Sequence, residues 1–442
     1  MGYSNVPVRG VAAATVDRYE VSRIGGATCL TDLISQATET CSADAKGILE
    51  KAIGKLAAGR TWQEKVTVKG DFMIDNSVDP LAVPSYTILE LLGSLKAQAY
   101  DKTLVIVNGS NVTLTGGTYD GNRGQHIDTA DTPIRVIQLS DAYHVLVQDV
   151  RIVDGYGRGL EVDDGGDNLI QGVEAQNCWR NFMFWSTDPS IPRNHRAEGL
   201  TSRFAQGGNG IDFGTVGHVT ISGIESQEDN PVAVSIDSSN HVSITNLRSL
   251  YRGFALVYAG YNNTEEILLE NAQSLGSGGG GFAAEIRSNW NIKGLTLANV
   301  SVANPRDDAL AFLRTGGSGT ISHIRVSDLQ VSWTGAAKCD VRATPGVQDI
   351  AFSSAPDAKN SLSVFRRIDP SSSEVCDRLP SVSSARNMTS LTPGPTTPTG
   401  AASSHMSSTV PYATTLFGIP SLSVASEPRL LASQSNRYRP DF

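Results

Sequence analysis

The sequence has 442 residues, 40% hydrophobic and 18% charged, which is enough apolar material for a large buried core in one elongated domain or several compact ones. A net charge of −9 without a clustered Lys/Arg stripe argues against nucleic acid as a partner, and no apolar run is long enough to span a membrane. The 43 glycines, the 5 methionines and a Val/Ile/Thr/Ser-rich middle favour strands and turns over an all-helical fold.

The start, MGYSNVPVRG, has no apolar h-region, so a leader is absent or already removed, and residues 1–28 read as an N-terminal extension. Residues 30–56 carry apolar side chains at helical spacing and run into AAGRT, which predicts one or two amphipathic helices. An α-helical cap over residues 29–60 would cover the open edge of whatever sheet follows. Two strand-like runs come next, EKVTVKGDFMI and PSYTILELLGSL.

From Val105 the sequence repeats. Aligning His144-VLVQDVRI, His218-VTISGIES, His241-VSITNLRS and His323-IRVSDLQV gives a short strand, a corner residue and a second short strand in each case. The corner positions are Gly116, Asp149, Gly172, Gly199, Gly223, Asn246, Asn271, Asn299 and Asp328; after a first gap of 33 the spacings are 23, 27, 24, 23, 25, 28 and 29. Only Gly, Asn and Asp occur there, the residues that tolerate a left-handed backbone. The four histidines read as structural strand starts. A third strand per repeat has inward apolar positions at Ile137, Leu160, Met183, Ile211, Val234, Leu256, Ala284 and Ala311. The predicted fold is therefore all-β, a single-stranded parallel β-helix over residues 61–378.

Beyond about residue 379 the composition turns to Ser, Thr, Pro and Gly, which predicts a largely disordered C-terminal tail over 379–442, with a short docked stretch near 416–424. Five cysteines suit two local disulfides, Cys29–Cys41 and Cys339–Cys376, with Cys178 left inside the repeats. Sequons at Asn108, Asn111, Asn262, Asn299 and Asn387 join them in favouring a secreted protein. The Asn299 side chain, on the corner series, is expected to point into its turn.

The Asn/Gly corner ladder and the segment GGTYDGNRG resemble the pectate-lyase-like superfamily of right-handed parallel β-helices, over roughly residues 45–355. The resemblance implies a glycan substrate and an active site on the outer face of the first strand of each coil, the third strand counted above. The NTD, GHG and RIK signatures of polygalacturonase-like enzymes are missing, Asp307-Asp308 is a bare acidic pair in a loop, and the epimerase motif DPHE is absent. No complete catalytic set therefore carries over.

Side chains alternate along a strand, so outward residues of successive coils stack into a ladder. The expected outward pairs are Gln138/Ser140, Glu161/Asp163, Phe184/Ser186, Asp212/Gly214, Ser235/Asp237, Val257/Ala259, Glu285/Arg287 and Phe312/Arg314. The first functional reading is a lyase that cleaves an acidic polysaccharide by β-elimination. In it Arg287 and Arg314 stand one coil apart beside Glu285, and Asp212, Asp237 and Glu285 hold a calcium ion if any cofactor is used. The second is hydrolysis by the paired carboxylates Asp212 and Asp237. The third is a non-catalytic glycan-binding solenoid of the tailspike or adhesin kind, monomeric or homotrimeric. Glu161, Asp163, Arg158, Arg180, Trp185, Tyr258 and Asp307 are candidate substrate contacts. The insertion STDPSIPRNHRAEG, with Arg193, His195 and Arg196, is expected to wall a groove, and Trp179, Tyr156, Tyr251 and Tyr261 offer further sugar-stacking rings.

Overall fold

A computed structural model describes residues 15–124, 134–228, 232–251, 253–276, 280–333, 339–353, 366–368 and 375–377. The chain divides into two compact units, Met1–Leu379 and Pro380–Phe442. The second, and with it the expected tail, lies outside the described residues.

The described chain is an all-β solenoid of about 11 turns with one short helix. Its register follows from burial. In the sheet that carries the site, Ile137, Leu160, Phe182, Ile211, Val234 and Ala255 pair in sequence from coil to coil. Two residues along, Leu139, Val162, Phe184, Phe213, Ile236 and Val257 form a second row. Both rows point inward and are buried. Aromatic rings stack between coils there, Phe184 on Phe213 at 5.3 Å between centroids. Each such ring removed from water contributes roughly 2–3 kcal/mol, and a one-residue slip would expose the whole row.

All nine expected corner residues have positive φ, from 51° at Asn299 to 73° at Gly223. The asparagine corners also bond to one another: Asn299 Nδ2 donates to Asn271 Oδ1 at 2.7 Å, and Asn271 Nδ2 to Asn246 Oδ1 at 3.1 Å. The Asn299 amide is thus used within the ladder, as its place in the repeat implied. His144, His218, His241 and His323 prove to be a second set of corners, with φ between 55° and 57°. The rings of His218 and His241 stack at 4.3 Å.

The N-terminal region departs from expectation. Only Ala45–Gly54 is helical; Asp44 caps it by accepting from the Gly47 N–H at 3.0 Å, and Ile48, Leu49, Ala52 and Ile53 are buried on one face. Residues 30–42, expected as helix, instead lie in the strands Ala27–Asp32 and Ala37–Ser42 and the turn between them. Cys29 pairs with Cys41 across them, and the disulfide between the two joins the strands. The Thr-rich strands and the covalent tie override an apolar spacing that is sustained only after residue 45. The expected extension 1–28 already belongs to the sheet from Val16, because Val16–Ile24 pairs in parallel with Glu64–Ile74. At the other end Cys339 and Cys376 form the second disulfide, and Cys178 is buried as a thiol.

Candidate functional site

The outer face of the same sheet presents two columns. The first runs Gln138, Glu161, Met183, Asp212, Ser235 and Leu256; the second runs Ser140, Asp163, Trp185, Gly214, Asp237, Tyr258 and Glu285. Glu161, Asp163, Asp212, Asp237 and Glu285 therefore all face outward. Three rungs differ from the expected register: Phe184, Val257 and Phe312 point inward and are at most 1% exposed. Met183, Leu256 and Tyr258 take outward positions, and Ala311, expected inward, shares the register of outward Ala283. These strands are apolar on both faces, so alternation alone did not reveal their parity.

The lowest rungs form a closed charge network. Arg135, Arg158 and Arg180 occupy the same place at the start of three successive strands. Arg158 Nη1 donates to both oxygens of Glu161, at 3.0 and 3.1 Å, and Arg135 adds a bond to each of them, that from Nη2 at 3.0 Å. Glu161 is 0% exposed. Its lone pairs are spent on two arginines, which makes it an anchor. Arg135 did not feature in the sequence-based site, although Arg recurs at 135, 158 and 180 within the repeat.

One rung above Met183, Asp212 is ion-paired with Arg180, Nε to Oδ2 3.0 Å, close in charge although not aligned as a hydrogen bond. Its other oxygen accepts from Asn209 Nδ2 at 2.6 Å. Asp237 stands on the next rung, two residues along, because Asp212 pairs with Ser235 and Gly214 with Asp237. Strand spacing puts the two backbones about 8 Å apart on the diagonal. Asp237 Oδ1 accepts from the Gly260 N–H at 2.7 Å and from Ser238 Oγ at 2.8 Å. Burial pushes the Asp237 carboxyl up to about 6 despite those donors, with the Asp212 charge adding to the effect. Tyr258, next in the column, shares a 2.9 Å hydrogen bond with Ser235 Oγ, and burial holds its hydroxyl neutral. Asp163 lies at the low end of the column, pushed up to about 7 by burial first and by the Glu161 charge second.

The upper rungs are different in kind. Arg287 leaves the strand and folds back on Glu285, with Nε and Nη2 each 2.8 Å from a carboxylate oxygen. That pairing lowers the Glu285 pKa and raises that of Arg287. Arg314 is in register with Ile286 and donates to the Gly317 carbonyl at 2.8 Å, so the two arginines do not stack in one column. Glu285 lies two rungs beyond Asp237. Asp212, Asp237 and Glu285 are thus not gathered at one point. Asp307 sits exposed in the turn before Leu310–Arg314.

The insertion is less of a wall than expected. Arg193 and His195 are buried on the strand Pro192–Arg203, and only Arg196 points out. Arg193 pins the insertion by donating to Asp164 Oδ1 at 2.6 Å and Ser186 Oγ at 3.1 Å. Burial pushes the His195 imidazole down to about 4. Of the other rings, Tyr156 packs edge-on against Tyr100, while Tyr251 and Tyr261 are 50% and 40% exposed.

No known family and no curated protein matches the sequence. Solved structures do. The A-module of mannuronan C-5 epimerase AlgE4 from Azotobacter vinelandii superposes with a TM-score of 0.51 at 12% identity, over 71% of this chain and 88% of that one. DFA-IIIase from Arthrobacter chlorophenolicus A6 in complex with GF2 gives a TM-score of 0.51 at 12% identity, over 72% and 92%. The Dettilon tailspike protein gives 0.45 at 14% identity, over 72% of this chain and 66% of the tailspike. At such identities the likeness speaks to architecture alone. The chain is a right-handed parallel β-helix, the architecture it shares with these structures.

Proposed function

We propose that the chain is a glycan-acting enzyme, and that it cleaves glycosidic bonds by hydrolysis with inversion, using Asp237 as general acid and Asp212 as general base. The observation that carries this reading is the diagonal pair itself, two buried outward carboxyls on adjacent rungs, whose backbones the strand spacing sets about 8 Å apart, a placement compatible with a water held between acid and base. Their surroundings separate their roles. Asp237 keeps its proton to about pH 6 and can give it to the departing oxygen. Asp212, held by Arg180 and Asn209, is the partner placed to accept the proton of an attacking water. A fold shared with a mannuronan epimerase supports a glycan as the substrate class. The two disulfides fit an extracellular setting, and no described helix is long and apolar enough to cross a membrane.

The elimination route is less well supported. It asks Arg287 to release its proton, yet Glu285 strengthens the hold of that proton and the guanidinium side chain is 79% exposed. The test is incubation of the protein with a panel of neutral and uronate polysaccharides. Hydrolysis predicts new reducing ends of inverted anomeric configuration by NMR, with no absorbance from an unsaturated uronic acid. That absorbance would restore the lyase reading, and tight binding without any cleavage would leave a non-catalytic glycan-binding solenoid.

A further inference from the structure

Gly214 stands in the second outward column between Trp185 and Asp237. A Cβ placed there would meet Trp185 Cε3 at 2.4 Å and Cζ3 at 2.7 Å, so the six-membered ring of the indole fills the space that any side chain at 214 would need. The ring therefore leans along the column over Gly214, which lies on the strand of Asp212 and next below Asp237 in the column. A flat, partly exposed aromatic ring laid on a strand face is a surface onto which the C–H face of a sugar ring packs.

The charges around it select what sits there. Asp163 is one rung below Trp185, and Asp212 and Asp237 lie above. The arginines of these rungs are committed to the protein's own acids, Arg135 and Arg158 to Glu161 and Arg180 to Asp212. A sugar carboxylate on the indole would find those guanidinium groups already engaged, whereas the hydroxyls of an uncharged sugar can donate to the oxygens of Asp163, Asp212 and Asp237.

We infer that Trp185, seated in the Gly214 notch, is the stacking platform of a subsite for an uncharged sugar residue next to the Asp212/Asp237 pair. The inference rests on that pair being the reacting centre and narrows its substrate to neutral oligosaccharides, in place of the acidic polymer expected from the sequence.

The test measures binding by calorimetry at pH 7 to Asp237→Asn protein, which leaves the glycan intact. The probes are gluco-, galacto-, manno- and fructo-oligosaccharides, with oligogalacturonates and oligomannuronates of equal length. At least one neutral probe should bind, with the uronates at least about tenfold weaker. Adding Trp185→Ala, or Gly214→Ala to displace the ring, should each weaken the neutral probe by about tenfold, and Trp185→Phe should recover most of the loss. If Trp185→Ala fails to fold, Gly214→Ala decides. Unchanged affinity in Trp185→Ala or Gly214→Ala, uronates binding as tightly as neutral probes, or no binding by any probe overturns the inference. Cleavage of a neutral glycan with binding insensitive to Trp185 would refute the subsite and leave the hydrolase. Trp185-dependent binding without cleavage would do the reverse.

Discussion

Asp237 and Glu285 sit in one column of one sheet face, two rungs apart, and behave oppositely. Asp237 is 4% exposed, and burial raises its affinity for a proton. Glu285 lies against Arg287, which is exposed to water, and the pairing lowers its affinity. A carboxyl side chain at the same register position is thus a proton donor in one place and half of a surface ion pair in the other. What differs is desolvation and the identity of the nearest charge, neither of which is a property of the strand pattern.

The largest effect should come from Asp237→Asn. Loss of a general acid is expected to lower kcat by about 10²- to 10⁴-fold, measured as reducing ends released, with the fold intact by circular dichroism. If Asp237 acts in its protonated form, wild-type activity should fall as pH rises through about 6, and an activity that instead rises there would reverse the acid and base assignments.

Glu161→Ala should separate the anchor from the chemistry. It leaves Arg135 and Arg158 buried without their carboxylate, at a cost of about 3–5 kcal/mol in denaturant unfolding. A loss below about 1 kcal/mol would mean that water reaches the network and that the lower rungs resemble the upper ones.

The linkage of stability to pH sharpens the contrast further. Asp237 and Asp163 hold protons up to about 6 and about 7 in the fold, whereas unfolded carboxyls release them near 3.8. The native state therefore binds more protons between these values, and the contribution of both groups to stability falls as pH rises from about 4 to 7. His195, pushed down to about 4, acts in the other direction as pH falls below 6.5. The informative quantity is thus the difference between wild type and the Asp163→Asn/Asp237→Asn double variant. The stability of wild type minus that of the variant should fall as pH rises from about 4 to 7, and a flat difference would mean that neither carboxyl is perturbed.

The smallest effect belongs to Arg287→Ala. An exposed pair contributes at most about 1 kcal/mol, and activity should stay within about twofold of wild type. A large loss of activity with unchanged stability would bring the upper rungs back into the mechanism.

Much of this molecule is legible in its sequence. A corner in a left-handed conformation admits few residues, so Gly116 through Asp328 announced the coil period, and the period placed Glu161, Asp163, Asp212, Asp237 and Glu285 on the outer face. The histidine corners were visible as a pattern but not as corners, because His is only moderately at home at positive φ. The helix expected over 30–56 forms only from Ala45 to Gly54, because the stretch before it is tied into a disulfide-linked strand pair that local apolar spacing does not show.

The sequence by itself determined the coil period, the strand identity of each segment after residue 105, and the outward parity wherever a strand alternates polar with apolar. Tertiary structure alone decided the parity of Met183, Leu256 and Ala311, where both faces of the strand are apolar and burial on one side must be known to orient the other. It also decided which acid keeps its proton, because Arg135, Arg180, Asn209 and Gly260 reach the carboxyls from other strands and turns, and the water removed from each carboxyl depends on every neighbour at once.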